Sequence, residues 1–162
     1  MGLERLTNER WGFSSSCFVC EPTNAVGLRI PFFHDTERDL VVAELELGDE
    51  HSGAPSYVHG GVTLAVLDEA MAWAAIACGG KFAVTKETST AFEYPVRVGR
   101  TYTVEARLTE VGEREFRAEA VVLDAKQRPC VQGACTLVVL SEAHAVDAIG
   151  AELSGDDADF VR

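Results

Sequence analysis

The most apolar stretch of the chain covers residues 60–78 and is rich in residues that favour helices. Its apolar side chains occur on nearly all sides rather than on one stripe, which is typical of a helix enclosed by other elements. Gly79 and Gly80 follow directly and predict its end. Two carboxylates, Asp68 and Glu69, lie near its centre and would make a membrane span costly. The pattern therefore predicts a helix buried inside a folded domain.

The segments on both sides of this helix alternate between apolar and polar residues, as strands do. Two precede the helix and four follow it, at residues 27–33, 39–47, 82–94, 101–111, 115–123 and 130–140. Short, turn-rich connections join the last four, which favours antiparallel pairing. We predict an α+β domain in which an antiparallel sheet of about five to six strands surrounds one long central helix.

At the two ends of the chain, apolar and polar residues follow no regular alternation. We predict an N-terminal arm over residues 1–23, with a short helix or irregular segment at 3–13, and a main domain over 24–141. Residues 142–162 are acidic and are predicted to form a frayed helix or a mobile tail. The first residues lack the apolar segment of a secretory signal, and five cysteines without framework spacing fit a reducing compartment, so a cytoplasmic location is expected.

The composition and the net charge indicate which kinds of binding partner this chain can have. The chain has 162 residues, of which 47% are hydrophobic, so a single domain with a packed core is expected. Its formal net charge is -12. Such a surface repels phosphate backbones and anionic lipid headgroups, which argues against nucleic-acid and membrane partners.

Candidate chemistry lies on the central helix. The sequence His59-Gly60-Gly61 stands where a loop becomes a helix, and two glycines leave the backbone N–H groups accessible to a ligand. A helix N-terminus has unpaired donors and partial positive charge, which suits an oxyanion in acyl transfer. Farther along, Asp68 is a carboxylate on an apolar surface, where an acid is costly without a partner or a task.

The spacing of these groups predicts a dimer. Gly60 and Asp68 are eight positions apart, or ~12 Å along a helix axis at ~1.5 Å per residue. One carbonyl group cannot touch both within one helix. If both serve one reaction, they come from two chains whose helices run antiparallel about a two-fold axis, with two equal sites per dimer.

Three motifs resemble a known family. The first is HGG with Asp68 nine residues after the histidine; the second is AFEYPVRVGRTYTVEARL; the third is CFVCEPTNAVGLRI near the N-terminus. Together they resemble hotdog-fold acyl-CoA thioesterases, in particular the phenylacetyl-CoA type. The resemblance implies a hotdog fold, an acyl-CoA substrate, no cofactor beyond the coenzyme A of that substrate, and assembly as a homodimer or a dimer of dimers.

The resemblance also implies roles for single residues. The Gly60 N–H would polarise the thioester carbonyl, and His59 and Gly61 would shape the loop or support that polarisation. Asp68 from the partner chain would act as general base or as nucleophile, and both routes stay open. Thr85 would hold the carboxylate or the water.

One position departs from the family pattern. Many relatives carry Asn or Gln six residues before the HGG histidine, where this chain has Gly53. The candidates to replace that polar group are His51, Ser52 and Ser56.

A local excess of basic residues is the candidate coenzyme A site. Between Lys81 and Arg107 five basic residues face three acidic ones, in an otherwise acidic chain. The substrate-binding candidates are Glu69, Trp73, Lys86, Arg97 and Arg100, with Trp73 at an acyl pocket.

Two other functions compete with hydrolysis. A 3-hydroxyacyl-CoA dehydratase of the same fold would use Glu69 with a histidine, and a catalytically silent acyl-CoA binding module would fit the missing polar group at Gly53. A metal site is not expected, because Cys17-x-x-Cys20 is half of a four-cysteine zinc site at most and no second pair has suitable spacing.

Overall fold

The predicted central helix is present as α1 (Gly60–Ala77). The computed structural model describes residues 2–150. The strands are β1 (Leu3–Leu6), β2 (Phe32–Asp35), β3 (Leu40–Glu46), β4 (Ala83–Phe92), β5 (Thr101–Val111), β6 (Glu115–Leu123) and β7 (Pro129–Val139), and a second helix is α2 (Glu142–Ile149). This order matches the prediction of two strands, one long helix and four strands, with one strand added at the start.

All seven strands form one antiparallel sheet in the order β1-β2-β3-β5-β6-β7-β4. Helix α1 packs against β2 to β7. The α+β hotdog architecture is therefore confirmed, with more strands than the five to six predicted. Strand β4 follows the helix in sequence but lies at one edge of the sheet, so the strand next to α1 in the chain has one unpaired edge.

The N-terminal prediction was partly wrong. Residues Leu3–Leu6 form β1, which pairs with β2 through Leu6 and Phe32, and only Asn8–Trp11 forms a short 3-10 helix. Four residues are too few to show a reliable alternation. Their strand conformation comes from tertiary pairing with β2.

The first predicted strand also begins later than the pattern suggested, at Phe32. The preceding residues pair with a loop instead: Leu28 N–H donates to the Phe18 carbonyl at 2.7 Å and Ile30 N–H to the Val19 carbonyl at 2.9 Å. A side chain at Gly27 would place its Cβ 2.6 Å from the Phe18 oxygen, so glycine is required for this close approach.

The core lies between α1 and the sheet. Leu67 and Met71 of the helix and Phe116 and Leu137 of the sheet are almost completely buried. Each such side chain stabilises the fold by roughly 1.5–3 kcal/mol. The length and mean hydropathy of α1 satisfy the criteria for a membrane span, but half of that window is buried within this fold. Its apolar character is explained by burial against the sheet.

At the C-terminal end, the predicted frayed helix corresponds to α2, whose N-cap Ser141 accepts a hydrogen bond from the His144 N–H at 3.3 Å. Ala145 of α2 is buried. The rest of the predicted acidic tail, residues 151–162, lies outside the described residues.

Two glycines end α1 for different reasons, and replacing each by alanine should have different costs. Gly80 has φ +67° and open space around its missing Cβ, so Gly80→Ala should destabilise by about 1 kcal/mol through backbone strain. At Gly79 a Cβ would lie 2.4 Å from Phe116 and 2.7 Å from the Ala75 carbonyl oxygen, so Gly79→Ala should cost more, about 1–3 kcal/mol. Urea unfolding of both variants measures the difference, and a larger cost at Gly80 would contradict this packing.

Candidate functional site

The loop before α1 uses most of the helix's first donors itself. His59 is the N-cap residue, and its Nδ1 accepts a hydrogen bond from the Gly61 N–H at 2.9 Å. Its carbonyl oxygen accepts from Val62 and Thr63 at 2.9 and 3.1 Å. Within residues 2–150, nothing accepts a hydrogen bond from the Gly60 N–H, and Gly60 is exposed. The helix therefore offers one backbone donor to a ligand, at Gly60.

This arrangement distinguishes the two glycines. The Gly61 N–H serves the cap, so a direct contact of that group with substrate requires breaking the bond to His59. A Cβ at Gly61 would lie 3.1 Å from His59 Nδ1, so the small residue keeps room for the histidine. At Gly60 a Cβ would meet only the Phe92 ring, at an ordinary 3.6 Å.

Asp68 and Thr85 meet in the structure. The Thr85 hydroxyl donates to Asp68 Oδ1 at 2.5 Å, and both residues are partly buried. Thr85 lies in β4 beside a register shift against β7, between Thr85 and Glu87. Such bulges change the direction of side chains, and this one accompanies the contact with α1. The hydrogen bond fixes one carboxylate oxygen and leaves Oδ2 for a water or a carbonyl carbon.

The two groups of chemical interest remain far apart in one chain. Gly60 and Asp68 lie eight residues apart on the single helix α1, which is ~12 Å along its axis. One chain therefore provides a donor at one place and a carboxylate at another.

Gly53 lies against the cap. Its missing Cβ would be 3.3 Å from His59 Cα and Cδ2, so a polar side chain at this position would contact the HGG loop. Of the proposed replacements, Ser52 donates its hydroxyl to the Asp49 carbonyl at 2.7 Å. His51 accepts the His59 N–H on its carbonyl at 2.8 Å, and its buried Nδ1 has no hydrogen-bond partner in the described chain. Ser56 is exposed.

Glu69 points to the N-terminal segment. A hydrogen bond of 3.3 Å joins Cys17 Sγ and Glu69 Oε1, and burial, together with the charge of Cys17, raises the pKa of the Glu69 carboxyl to about 8. The hydrogen bond with Cys20, together with backbone N–H groups, lowers the pKa of the Cys17 thiol to about 5, whereas that of Cys20 is raised by the same contact. Across the described residues no histidine hydrogen-bonds to Glu69, so the pairing expected of a dehydratase is not present within one chain.

Two of the substrate-binding candidates are placed elsewhere. Trp73 is 3% exposed and packs on Trp11 with ring centroids 5.4 Å apart, so in this chain it belongs to the core rather than to a ligand surface. Lys86 is exposed and forms an ion pair with Glu115 at 2.9 Å. It stands near the opposite end of β4 from Phe92.

Arg97 and Arg100 come together in a basic cleft of about 750 Å³. Lys126 and Arg128 share this cleft, and Asp124 is its one acidic residue. The complete lining is Tyr94, Pro95, Arg97, Arg100, Thr101, Tyr102, Asp124, Ala125, Lys126 and Arg128. The cleft therefore has a local charge opposite to that of the whole chain.

Aromatic rings hold two of these guanidinium groups in place. Arg97 Cζ lies 5.1 Å from the centroid of the Tyr57 ring, and Arg128 Cζ lies 3.9 Å from that of Tyr94. Tyr57 and Arg97 also form a β-bridge, which connects the cleft to the loop that leads into α1. The cleft thus borders the segment that ends at the Gly60 donor.

Sequence reasoning missed Lys126, Arg128 and Tyr57, and it considered Tyr94 only for an acyl pocket. The first two lie beyond the basic stretch it considered, in the turn between β6 and β7. The available signal was the turn sequence DAKQRP, whose Asp124 carboxylate accepts bonds from Lys126 and Arg128 and so fixes that turn.

Comparisons with known proteins agree with this fold. The family model of the thioesterase superfamily matches residues 56–131, from the loop before α1 into β7. A comparison with curated proteins gives no match. Among solved structures, a thioesterase superfamily protein is 26% identical with a TM-score of 0.70; the alignment covers 75% of this chain and 59% of that one, so the chain spans less than two thirds of that relative's length.

Two further structures share the fold. The PaaI protein of E. coli, from the phenylacetic acid degradation operon, is 19% identical with a TM-score of 0.63, over 70% of this chain and 81% of that one. A Streptococcus mutans protein solved with acetyl CoA is 20% identical with a TM-score of 0.60, over 63% and 82%. Over residues 56–131 the chain is similar to the thioesterase superfamily, and these solved structures share its hotdog fold.

Proposed function

We propose that this protein is an acyl-CoA thioesterase, which hydrolyses an acyl-CoA to a free acid and coenzyme A. The observation that carries the proposal is the pair of complementary groups on α1: an exposed Gly60 N–H without an acceptor in the described chain, and an Asp68 carboxylate held by Thr85. The resemblance to the E. coli PaaI protein and to a protein solved with acetyl CoA supports an acyl-CoA ligand.

The reaction requires a second copy of the chain. Strand β4 leaves one sheet edge unpaired, and Val84, Phe92 and nearby Tyr94 are 42%, 53% and 42% exposed. An edge with apolar side chains favours pairing with another copy. A homodimer, or a dimer of such dimers, with α1 antiparallel to its partner would bring the Gly60 donor of one chain to the Asp68 carboxylate of the other.

In this dimer, the thioester carbonyl oxygen accepts a hydrogen bond from Gly60 N–H at the positive end of α1. The partner's Asp68 either removes a proton from an attacking water or attacks the carbonyl carbon itself. Either route forms a tetrahedral oxyanion that the Gly60 donor stabilises, and its collapse expels coenzyme A as a thiolate that takes up a proton. The water route releases the free acid directly, whereas attack by Asp68 leaves a mixed anhydride that a water molecule must then hydrolyse to regenerate the carboxylate. Thr85 positions the carboxylate by holding Oδ1.

The basic cleft is the proposed site for the phosphates of coenzyme A. Aromatic rings hold two of its three guanidinium groups, those of Arg97 and Arg128, so binding orders few further side chains there. Because Tyr57 joins Arg97 to the loop before α1, phosphates bound there would direct the thioester end towards Gly60.

A catalytically silent acyl-CoA binding module is the second candidate. Gly53 supports it, because this position adjoins His59 but supplies no polar side chain. Under that function acyl-CoA binds and no thiol is released.

Removing the base or nucleophile should abolish turnover. Asp68→Asn keeps the shape and the hydrogen bond from Thr85 but loses the charge, so kcat should fall about 10²–10⁴-fold. Release of free thiol from a panel of acyl-CoA substrates measures it, with Glu119→Gln, an exposed acid on β6, as the matched control. Equal turnover in wild type and Asp68→Asn would disprove the site, and binding without turnover in wild type would support the silent module.

Mixed dimers should test the two-chain site. Gly60→Pro removes the donor at the first helical position, where proline fits, and His59 already has φ -57° and ψ 132°, which a following proline accepts. Alone, Gly60→Pro should lower kcat about 10²–10³-fold, whereas Gly60→Ala should retain the donor and most activity.

When Gly60→Pro and Asp68→Asn chains carry different tags and are purified as a heterodimer, one of the two sites contains both native groups. Activity should return to about half that of wild type per dimer. A heterodimer as inactive as its parents would show that both groups act within one chain.

The basic cleft should control substrate affinity rather than turnover. Arg100→Ala should raise KM for acyl-CoA roughly 5–20-fold, from a loss of about 1–2 kcal/mol in a charge-assisted contact, with kcat unchanged. Arg117→Ala, which removes an exposed arginine paired with Glu110, is the matched control. If KM is unchanged by Arg100→Ala, or changes equally with Arg117→Ala, the phosphates of coenzyme A do not bind in this cleft.

A further inference from the structure

We propose that Cys17, Cys20 and Glu69 form a binding site for a thiophilic divalent cation of the Zn²⁺ class. One ligand atom from each residue lies within 4.8 Å of the other two. The sequence contains no second cysteine pair of suitable spacing to complete a four-cysteine site, but the fold brings a carboxylate from α1 to Cys17 and Cys20. Two thiolates and a carboxylate are ligands that zinc accepts.

The distances suit this cation. In a tetrahedral zinc site with bonds of roughly 2.3 Å to sulfur and 2.1 Å to oxygen, a sulfur and an oxygen ligand lie about 3.6 Å apart. Cys17 Sγ and Glu69 Oε1 are separated by 3.3 Å. The measured separation is therefore close to the one that a bound ion requires. Three protein ligands leave the fourth position for a water.

The backbone around Cys17 already favours its thiolate. The N–H groups of Val19 and Cys20 approach Cys17 Sγ at 3.4 and 3.5 Å, both from within the Cys-x-x-Cys turn. These donors stabilise a negatively charged sulfur and also fix its orientation. The turn therefore supplies outer contacts as well as the two sulfur ligands.

The rest of the N-terminal segment holds that turn in place. Asn24 donates its side-chain amide to the carbonyls of Ser16 and Cys17 at 3.0 and 3.4 Å. Gly27 allows the returning chain to approach Phe18, where any other side chain would collide with the carbonyl. The sequence CFVCEPTNAVG therefore contains the two proposed sulfur ligands, the Asn24 amide that fixes their turn, and Gly27, which the close approach to Phe18 requires.

A second group of potential metal ligands in the described chain consists of His34, Asp39 and Cys78, and it is a weaker candidate for a cation site. Its Asp39 side chain is 71% exposed and already pairs with His34 at 3.0 Å. The Glu69 carboxylate, in contrast, lies beside two thiols in a largely buried position, where a cation would balance these acidic groups.

Cobalt titration tests the site. Reduced, metal-free protein with Co²⁺ should develop one equivalent of the thiolate-to-cobalt charge-transfer band and the visible bands of tetrahedral cobalt, and Zn²⁺ should displace them. Cys17→Ser and Cys20→Ser should each weaken binding by at least the roughly 10–100-fold that loss of an outer contact costs. Glu69→Gln should retain the sulfur band with lower affinity.

Cys78→Ser is the matched control, because it removes a partly exposed thiol from the second group, and it should bind cobalt as wild type does. The wild-type spectrum decides the matter even if a variant fails to fold: reduced wild type without a thiolate-to-cobalt band overturns the proposal. Loss of the band in Cys78→Ser with retention in Cys17→Ser would also overturn it, as would formation of a Cys17–Cys20 disulfide in protein that binds no metal when reduced. None of these readouts depends on thioester hydrolysis.

Discussion

Two adjacent carboxylates on an otherwise apolar, enclosed helix impose the constraint that organises this structure. Neighbouring residues of an α-helix point about 100° apart, so Asp68 and Glu69 cannot share a partner. Asp68 meets Thr85 of β4, and Glu69 meets Cys17 of the N-terminal segment. A carboxylate left unpaired in these surroundings would cost several kcal/mol. The two contacts therefore tie the edge strand and the N-terminal segment to two different sides of the same helix.

The N-terminus of α1 has only one backbone N–H group available to a ligand in the described chain. The N-cap His59 uses its side chain and carbonyl to satisfy Gly61, Val62 and Thr63, which leaves Gly60 as the one free donor of the described first turn. The hydrogen bonds between His59 and the first turn hold the loop in one conformation. A fixed loop suits an oxyanion donor, because a donor that is already oriented requires no reorganisation during the reaction. Asp68 lies two turns farther along the helix, so under the proposed function the acid at this donor comes from the partner chain.

Much of the fold could be predicted from the sequence, because the periodic pattern of 60–78 and of the later strands reflects burial directly. The exceptions are segments whose structure depends on distant partners. Residues 3–6 become a strand only by pairing with β2, and residues 28–30 bond to the Cys-x-x-Cys turn instead of extending β2. Helical spacing placed Gly60 and Asp68 on one element, but it could not show that Glu69 faces two cysteines 49 or more positions away.

For the proposed coenzyme A site, the decisive quantity is local charge. At physiological ionic strength, charges on an exposed surface are screened beyond about 8 Å, so the net charge of -12 has little influence inside a cleft. Arg97, Arg100, Lys126 and Arg128 face one acid, Asp124, within a single cleft. The composition averages the charge over the whole chain, so it does not reveal that the charge of this cleft is opposite in sign to the net charge. The turn between β6 and β7 supplies half of these basic residues, and it reaches the others only because β5, β6 and β7 are neighbours in the sheet. An acidic protein can therefore bind an anionic nucleotide where the topology of its sheet collects enough basic residues.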